Sequence, residues 1–240
     1  MDINQIISST LVIDIETVSE YPEYDAMPER LKPLWDRKSQ FLKNDDALNT
    51  KELYFERAGI YAEFGRIVCI AVGYFVRAEG NTTQLRVKSL HNDDERVVLD
   101  EFKELLSKFD EKKIVLVAHN GKEFDFPYIC RRMLVKGIEI PECLNISGKK
   151  PWEVKHIDTM EMWKFGDWKS YTSLELLATI FDIDSSKSDI DGSQVNTYYY
   201  DKQELETIAE YCKADVVVTS QLFLKLNFLP LIENENIIIL

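Results

Sequence analysis

The chain has 240 residues, 45% hydrophobic and 30% charged, which suits a single soluble domain with a substantial core. A formal net charge of −13 argues against a protein that coats a duplex through a basic face, although metal ions and a few local bases can still hold substrate phosphates. The longest apolar run, Ile67–Val76, is of strand length rather than the ~18 residues of a membrane span, and MDINQIISST lacks the features of a signal peptide, so a cytoplasmic protein without a membrane partner is expected.

In chain order, TLVIDI (residues 10–15) reads as a buried strand. The stretch 21–61 is polar and aromatic, broken by Pro28, Pro33 and the cluster 44–46, and reads as an insertion of two helices and a loop. Residues 66–77 and 82–90 alternate around Glu79, Gly80 and Asn81, a hairpin signal. Asn92 or Asp93 is placed to cap a helix reaching Phe109, with Val97, Leu99, Phe102, Leu105 and Leu106 on one face. IVLVA (114–118) is a second buried strand, followed by a helix from about Asp125–Pro127 to the stop at Gly137. A short strand at 154–157, a helix at 173–181 and a long amphipathic helix at 202–228 complete the pattern. A hairpin followed by strands alternating with helices predicts a mixed sheet with helices packed against it, in the α/β class.

Four acidic residues stand in or beside apolar segments, where an ionised carboxylate is costly without compensation. Asp14 and Glu16 lie two apart in LVIDIET, so both leave one face of the strand with Val12, while Ile13 and Ile15 leave the other. Two carboxylates on one face repel unless a cation lies between them, and hard divalent ions favour such oxygen ligands. Asp125, in HNGKEFDFPYI, by itself reads as a residue of a helix's first turn just before Pro127. The strand before it would nevertheless bring Asn120 and Asp125 to the sheet edge that carries Asp14. Tyr211 and Asp215, in YCKADVV, are spaced i, i+4 on a helix face that is otherwise apolar. Cys69, Cys130, Cys143 and Cys212 form no CxxC pair, three of them reading as small buried hydrophobes, and three histidines are too few for a multi-histidine metal site.

DIET, NGKEFDFPYI and YCKAD, in this order and at these separations, resemble the three motifs of the DEDD superfamily of 3′–5′ exonucleases. YxxxD marks the tyrosine-type branch, since the histidine type needs a His where Glu210 stands. The second motif is most similar to that of the proofreading exonuclease domain of family B DNA polymerases. The resemblance implies a ribonuclease H-like fold, a five-stranded mixed sheet flanked by helices, here with a helical insertion after the first strand and all 240 residues in one domain. It implies two divalent metal ions, Mg²⁺ or Mn²⁺, held by Asp14, Glu16, Asp125 and Asp215. In that arrangement Asp14 bridges the ions, Glu16 and Asp215 support the nucleophile side, Asp125 supports the other side, and Tyr211 orients the attacking water. Thr17, Asn120 and Phe124 match positions that touch the terminal nucleotide, and Asp158 borders the site or caps a helix. The expected activity is hydrolysis of the 3′ end of single-stranded or frayed DNA to nucleoside 5′-monophosphates. A polymerase or repair partner would then act in trans, and no oligomeric state is implied. The alternatives are an RNA 3′–5′ exonuclease of the same superfamily and a non-cleaving nucleic-acid-binding module on the same fold. The stretch 182–193 fits no calcium-loop register and reads as a polar loop with Lys187 near the nucleic acid, and Tyr198–Tyr199–Tyr200 reads as packing.

Overall fold

Thr10–Ser19 form β1, which runs past the expected end at Ile15 because its later residues keep pairing with the following strand. The structure, a computed structural model, describes residues 4, 6, 9–167, 171–184 and 190–240, so Lys187 lies outside the described residues. After β1 come α1 (Lys32–Ser39) and α2 (Thr50–Arg57), then β2 (Gly65–Arg77) and β3 (Thr83–His91). The order continues with α3 (Glu95–Leu106), β4 (Val115–Ala118), α4 (Asp125–Val135) and β5 (Ile157–Asp158). It closes with α5 (Thr159–Lys164), α6 (Leu174–Ile180), α7 (Leu205–Leu226) and β6 (Ile237–Ile239).

The sheet order is β5-β4-β1-β2-β3-β6, with β2 antiparallel to both its neighbours and the remaining pairs parallel. This is the expected mixed α/β sheet of the ribonuclease H-like fold, with β1 central. It has six strands where five were expected: Ile237–Ile239 add to the free edge of β3 in register with Leu85–Val87.

The period-two alternation of β1 sorts its side chains onto two cores. Leu11, Ile13 and Ile15 join Val98, Phe102, Ile129 and Met133 of α3 and α4. Val12 and Val18 join Ile208, Cys212, Val216 and Phe223 of α7 on the opposite face. Gly73 on β2 sets how closely α7 approaches, since a Cβ there would lie 2.7 Å from Val216 Cγ1. α3 is capped by Asp94 rather than Asn92 or Asp93, because Asn92 accepts the Asp94 amide in a tight turn and Asp94 in turn accepts from Arg96. That shift turns Val98 inward and leaves Val97 37% exposed. α7 starts at Leu205 rather than 202, because Tyr198–Lys202 form a π turn that ends on Gln203 at φ 58°.

The stretch between β1 and β2 has a small core of its own. Trp35 meets Tyr54 and Phe64 edge-on at 5.3 and 5.1 Å, and Asn49 and Glu52 form a reciprocal capping box that starts α2. Asn196 ties this stretch to β1 and Tyr128 ties it to α4. Asn196 accepts the Ser19 amide and donates to the Phe55 carbonyl, both at 2.9 Å. Tyr200 donates to the Ser19 carbonyl at 2.6 Å. Tyr128 donates to the Gly59 carbonyl at 2.7 Å. Tyr199 is likewise held, by Arg66 and Asp93, so the three consecutive tyrosines serve packing.

Candidate active site

β4 pairs with β1 only from Thr10 to Val12 and ends at Ala118, so the second half of β1 has no strand on that side. The Ile15 amide faces this gap, and the Asp125 carboxylate fills it, accepting the N–H at 3.1 Å. Asp125 is the first residue of α4, the first-turn position expected of it, and its side chain is turned to β1. On the α7 face, the Cys212 thiol donates to Asp14 Oδ2 at 3.2 Å and lies 3.4 Å from the Asp14 carbonyl. Tyr211 hydrogen-bonds to the Asp215 carboxylate one turn further along α7. A bulge between Glu16 and Thr17 breaks the register with β2 where the site opens, the kind of distortion that re-aims side chains.

These positions form one electrostatically coupled cluster. Asp14 is held well above the usual carboxylate range, chiefly by burial and then by the charges of Asp125 and Asp215. Glu16 is raised too, by burial and then by Asp14 and Asp215, with Asp125 the weakest of its neighbours. Burial pushes Asp125 up to about 7 and Asp215 to about 6, the latter held back by its bond from Tyr211. The Tyr211 phenol is pushed far up, by burial first and then by Glu16, Asp215 and Asp14, so it keeps its proton at neutral pH. Among the described residues, no lysine, arginine or histidine forms an ion pair with any of the four carboxylates. Glu16 and Asp125 are buried and Asp14 and Asp215 half-buried, and acids so placed without a protein counter-charge suit a hard divalent cation that would repay their cost with oxygen ligands.

The tightest donor set is Asp14, Glu16 and Cys212, whose ligand atoms all lie within 4.8 Å of one another. Asp125 and Asp215 stand outside that set, turned to the Ile15 amide and the Tyr211 hydroxyl. Cys212 read in the sequence as a buried hydrophobe. Its helix face is apolar except at Tyr211 and Asp215, and only the packing of α7 on β1 brings its sulfur to Asp14.

Beside the cluster runs a groove of about 330 Å³ lined by Glu16, Thr17, Asn120, Phe124, Tyr171 and Asn196, with Phe55, Glu56, Gly59 and Ile60 forming part of its wall. Thr17, Asn120 and Phe124 thus line one groove. Asn120 holds a left-handed backbone, φ 60°, and its side-chain oxygen is buried with no partner. Phe124 packs against the core, 5.3 Å from Tyr128, and also lines the groove. Asp158 acts as a scaffold, capping α5 through Met160 and accepting the amides of Asn120 and Lys122 at 2.9 and 3.1 Å. The wall from the 55–60 stretch was not legible residue by residue. It forms because Gly59 lets that stretch touch β1, where a Cβ would lie 3.2 Å from the Val18 carbonyl carbon.

A family model described as predicted 3′–5′ exonucleases related to the exonuclease domain of PolB matches residues 60–232. The match takes in Asn120, Phe124, Asp125, Tyr211 and Asp215, while Asp14 and Glu16 precede it. Among solved structures, the family B DNA polymerase of the hyperthermophilic archaeon Pyrobaculum calidifontis is similar in fold, with a TM-score of 0.57 at 18% identity over 90% of this chain. The chain spans 24% of that polymerase. No curated protein matches.

Proposed function

Because the chain belongs to the family of predicted 3′–5′ exonucleases related to the exonuclease domain of PolB, we propose that it is a metal-dependent exonuclease that hydrolyses the 3′ end of single-stranded or frayed DNA to nucleoside 5′-monophosphates. The observation that carries this reading is the coupled set of Asp14, Glu16, Asp125 and Asp215 without a protein counter-charge, opening onto the groove of Thr17, Asn120 and Phe124. Asp14, Glu16, Asp125 and Asp215 would hold two divalent ions, Mg²⁺ or Mn²⁺. Ions bound there supply an activated water and offset the charge that develops on the phosphate and leaving oxygen.

The chain's own groups do the rest. Tyr211, a retained hydroxyl beside Asp215, orients the attacking water by hydrogen bonding and does not act as its base. Phe124 offers a ring face to the terminal base, and the unpartnered Asn120 oxygen accepts a hydrogen bond from the terminal nucleotide. Asp158 keeps Asn120 in place through its amide.

The test is shortening of a 5′-labelled single strand in Mg²⁺ or Mn²⁺ by wild type and by Asp14→Asn, on all-DNA and all-RNA ends. Metal-dependent release of monophosphates from DNA by wild type alone supports the reading. Preference for the RNA end moves the assignment to the RNA enzyme, and a metal-replete wild type that binds both strands and cuts neither moves it to the binding module.

A further inference from the structure

The exposed side of α1 carries a pattern that the site does not use. Within α1 positions 34 and 37 are three apart and so share one face, and positions 30 and 41 stand exposed in the turns just before and just after the helix. Both flanking turns are tight, since Leu31 bonds back to Pro28 and Phe41 to Lys38. These positions hold Arg30, Leu34, Arg37 and Phe41, so two guanidinium groups alternate with two large apolar side chains. Leu34 is 57% exposed and Phe41 81%, although the same helix buries Trp35 completely on its other face. Neither arginine side chain forms an ion pair or hydrogen bond among the described residues, while Lys32 and Lys43 are both matched to acids. Residues 28–43 contain five basic residues against two acidic ones, within a chain whose balance is −13.

An amphipathic helix normally turns charged and polar residues outward, and Leu34 breaks that rule beside Arg37, with Phe41 and Arg30 exposed in the flanking turns. Alternating cations and aromatic or aliphatic faces bind single-stranded nucleic acid, whose phosphates take the charge and whose bases stack. We propose that the Arg30–Leu34–Arg37–Phe41 stripe holds the body of a single strand whose 3′ end lies in the groove. α1 packs through Trp35 onto Tyr54 of α2, and Phe55 and Glu56 of α2 reach the groove wall, so one structural unit joins the two surfaces. A strand must pass a helix of about 10 Å diameter to meet both, so only substrates several nucleotides long engage the stripe. This assignment rests on the exonuclease reading for its choice of ligand.

The experiment measures fluorescence anisotropy of a labelled twenty-nucleotide thymidine strand and of a thymidine trinucleotide, in Ca²⁺, for wild type, Arg30→Ala/Arg37→Ala and Leu34→Ala/Phe41→Ala. Each double variant should weaken the long strand about 10-fold and leave the trinucleotide within twofold. The arginine pair should also flatten the salt dependence, by about 1.4 in the log–log slope for two phosphates. Thermal midpoints, read in parallel, should not move, because all four side chains are exposed. Unchanged affinity for the long strand, with or without a change in association state, overturns the proposal and assigns the stripe to a protein contact. Equal weakening on both lengths also overturns it. Binding is read without turnover, so a wild type that binds the long strand through the stripe but fails to cut in Mn²⁺ sinks the exonuclease reading alone.

Discussion

Asp215→Asn should stabilise the metal-free protein while removing its activity. The folded state holds the Asp215 carboxyl at about 6 against an ordinary value of 3.8, chiefly through burial. At 1.36 kcal/mol per pKa unit, keeping it ionised costs about 3 kcal/mol above pH 6, and about half that if Asp14 and Glu16 share the relief. Because the folded value is raised, the favourable contribution of this group is fully present below pH 3.8 and is lost as pH rises through 6. An amide has no charge to desolvate, and its oxygen can still accept from Tyr211. In EDTA near pH 7.5 the variant should therefore melt roughly 3–10 °C above wild type, and the gap should close as pH falls toward about 4. Mn²⁺ should then raise the wild-type midpoint more than that of the variant. Differential scanning calorimetry across this pH range reads both effects. A variant that melts at or below wild type in EDTA at neutral pH would refute the idea that the carboxylates await a cation.

Tyr211→Phe should keep residual activity, about 10- to 1000-fold below wild type, while Asp14→Asn falls below detection; equal and complete loss in both would contradict an orienting role for the phenol. Arg132 is bonded to the buried Glu95 through two nitrogens, at 2.8 and 2.7 Å, and also to the Ala62 carbonyl and Glu20. Arg132→Ala leaves the Glu95 charge buried beside Lys136 alone, and should cost about 3–5 kcal/mol in urea unfolding, recovered in part by adding Glu95→Gln. His156 accepts the Leu116 amide and donates to the Cys143 carbonyl, and burial lowers it to about 4. Its ring signals should not titrate by NMR between about pH 7 and 5, and its share of stability, about 3 kcal/mol, should be lost as pH falls from 6.5 toward 4. A His156 midpoint near 6.5 would rule out that burial effect.

Local pattern was enough wherever one element settles the matter by itself. Alternation along residues 12–16 put Asp14 and Glu16 on one face of β1 and the isoleucines on the other, because a strand's side-chain period is two. The i, i+4 spacing joined Tyr211 to Asp215, and the hairpin turned at Gly80, which holds φ 70°. Errors arose where a neighbouring bond shifted a register by one or two residues. The Asn92 turn moved the α3 cap to Asp94 and exchanged Val97 for Val98, and the left-handed Gln203 delayed α7. β6 was unread because three isoleucines near the end of the chain have no pattern until the β3 edge is there to receive them.

The residue types for acid-cluster chemistry, their order and the helix or strand that bears each were thus written in the chain. Tertiary structure decided which of them share a site. Asp125 reaches β1 only because β4 ends at Ala118 and leaves the Ile15 amide open, a fact about the lengths of two strands distant in sequence. Cys212 enters the donor set, and Phe55 and Ile60 enter the groove wall, through packing distances that no spacing encodes. Periodicity follows from local backbone geometry, whereas burial, charge coupling and the raised carboxyl pKa values arise only when separate elements close on one another.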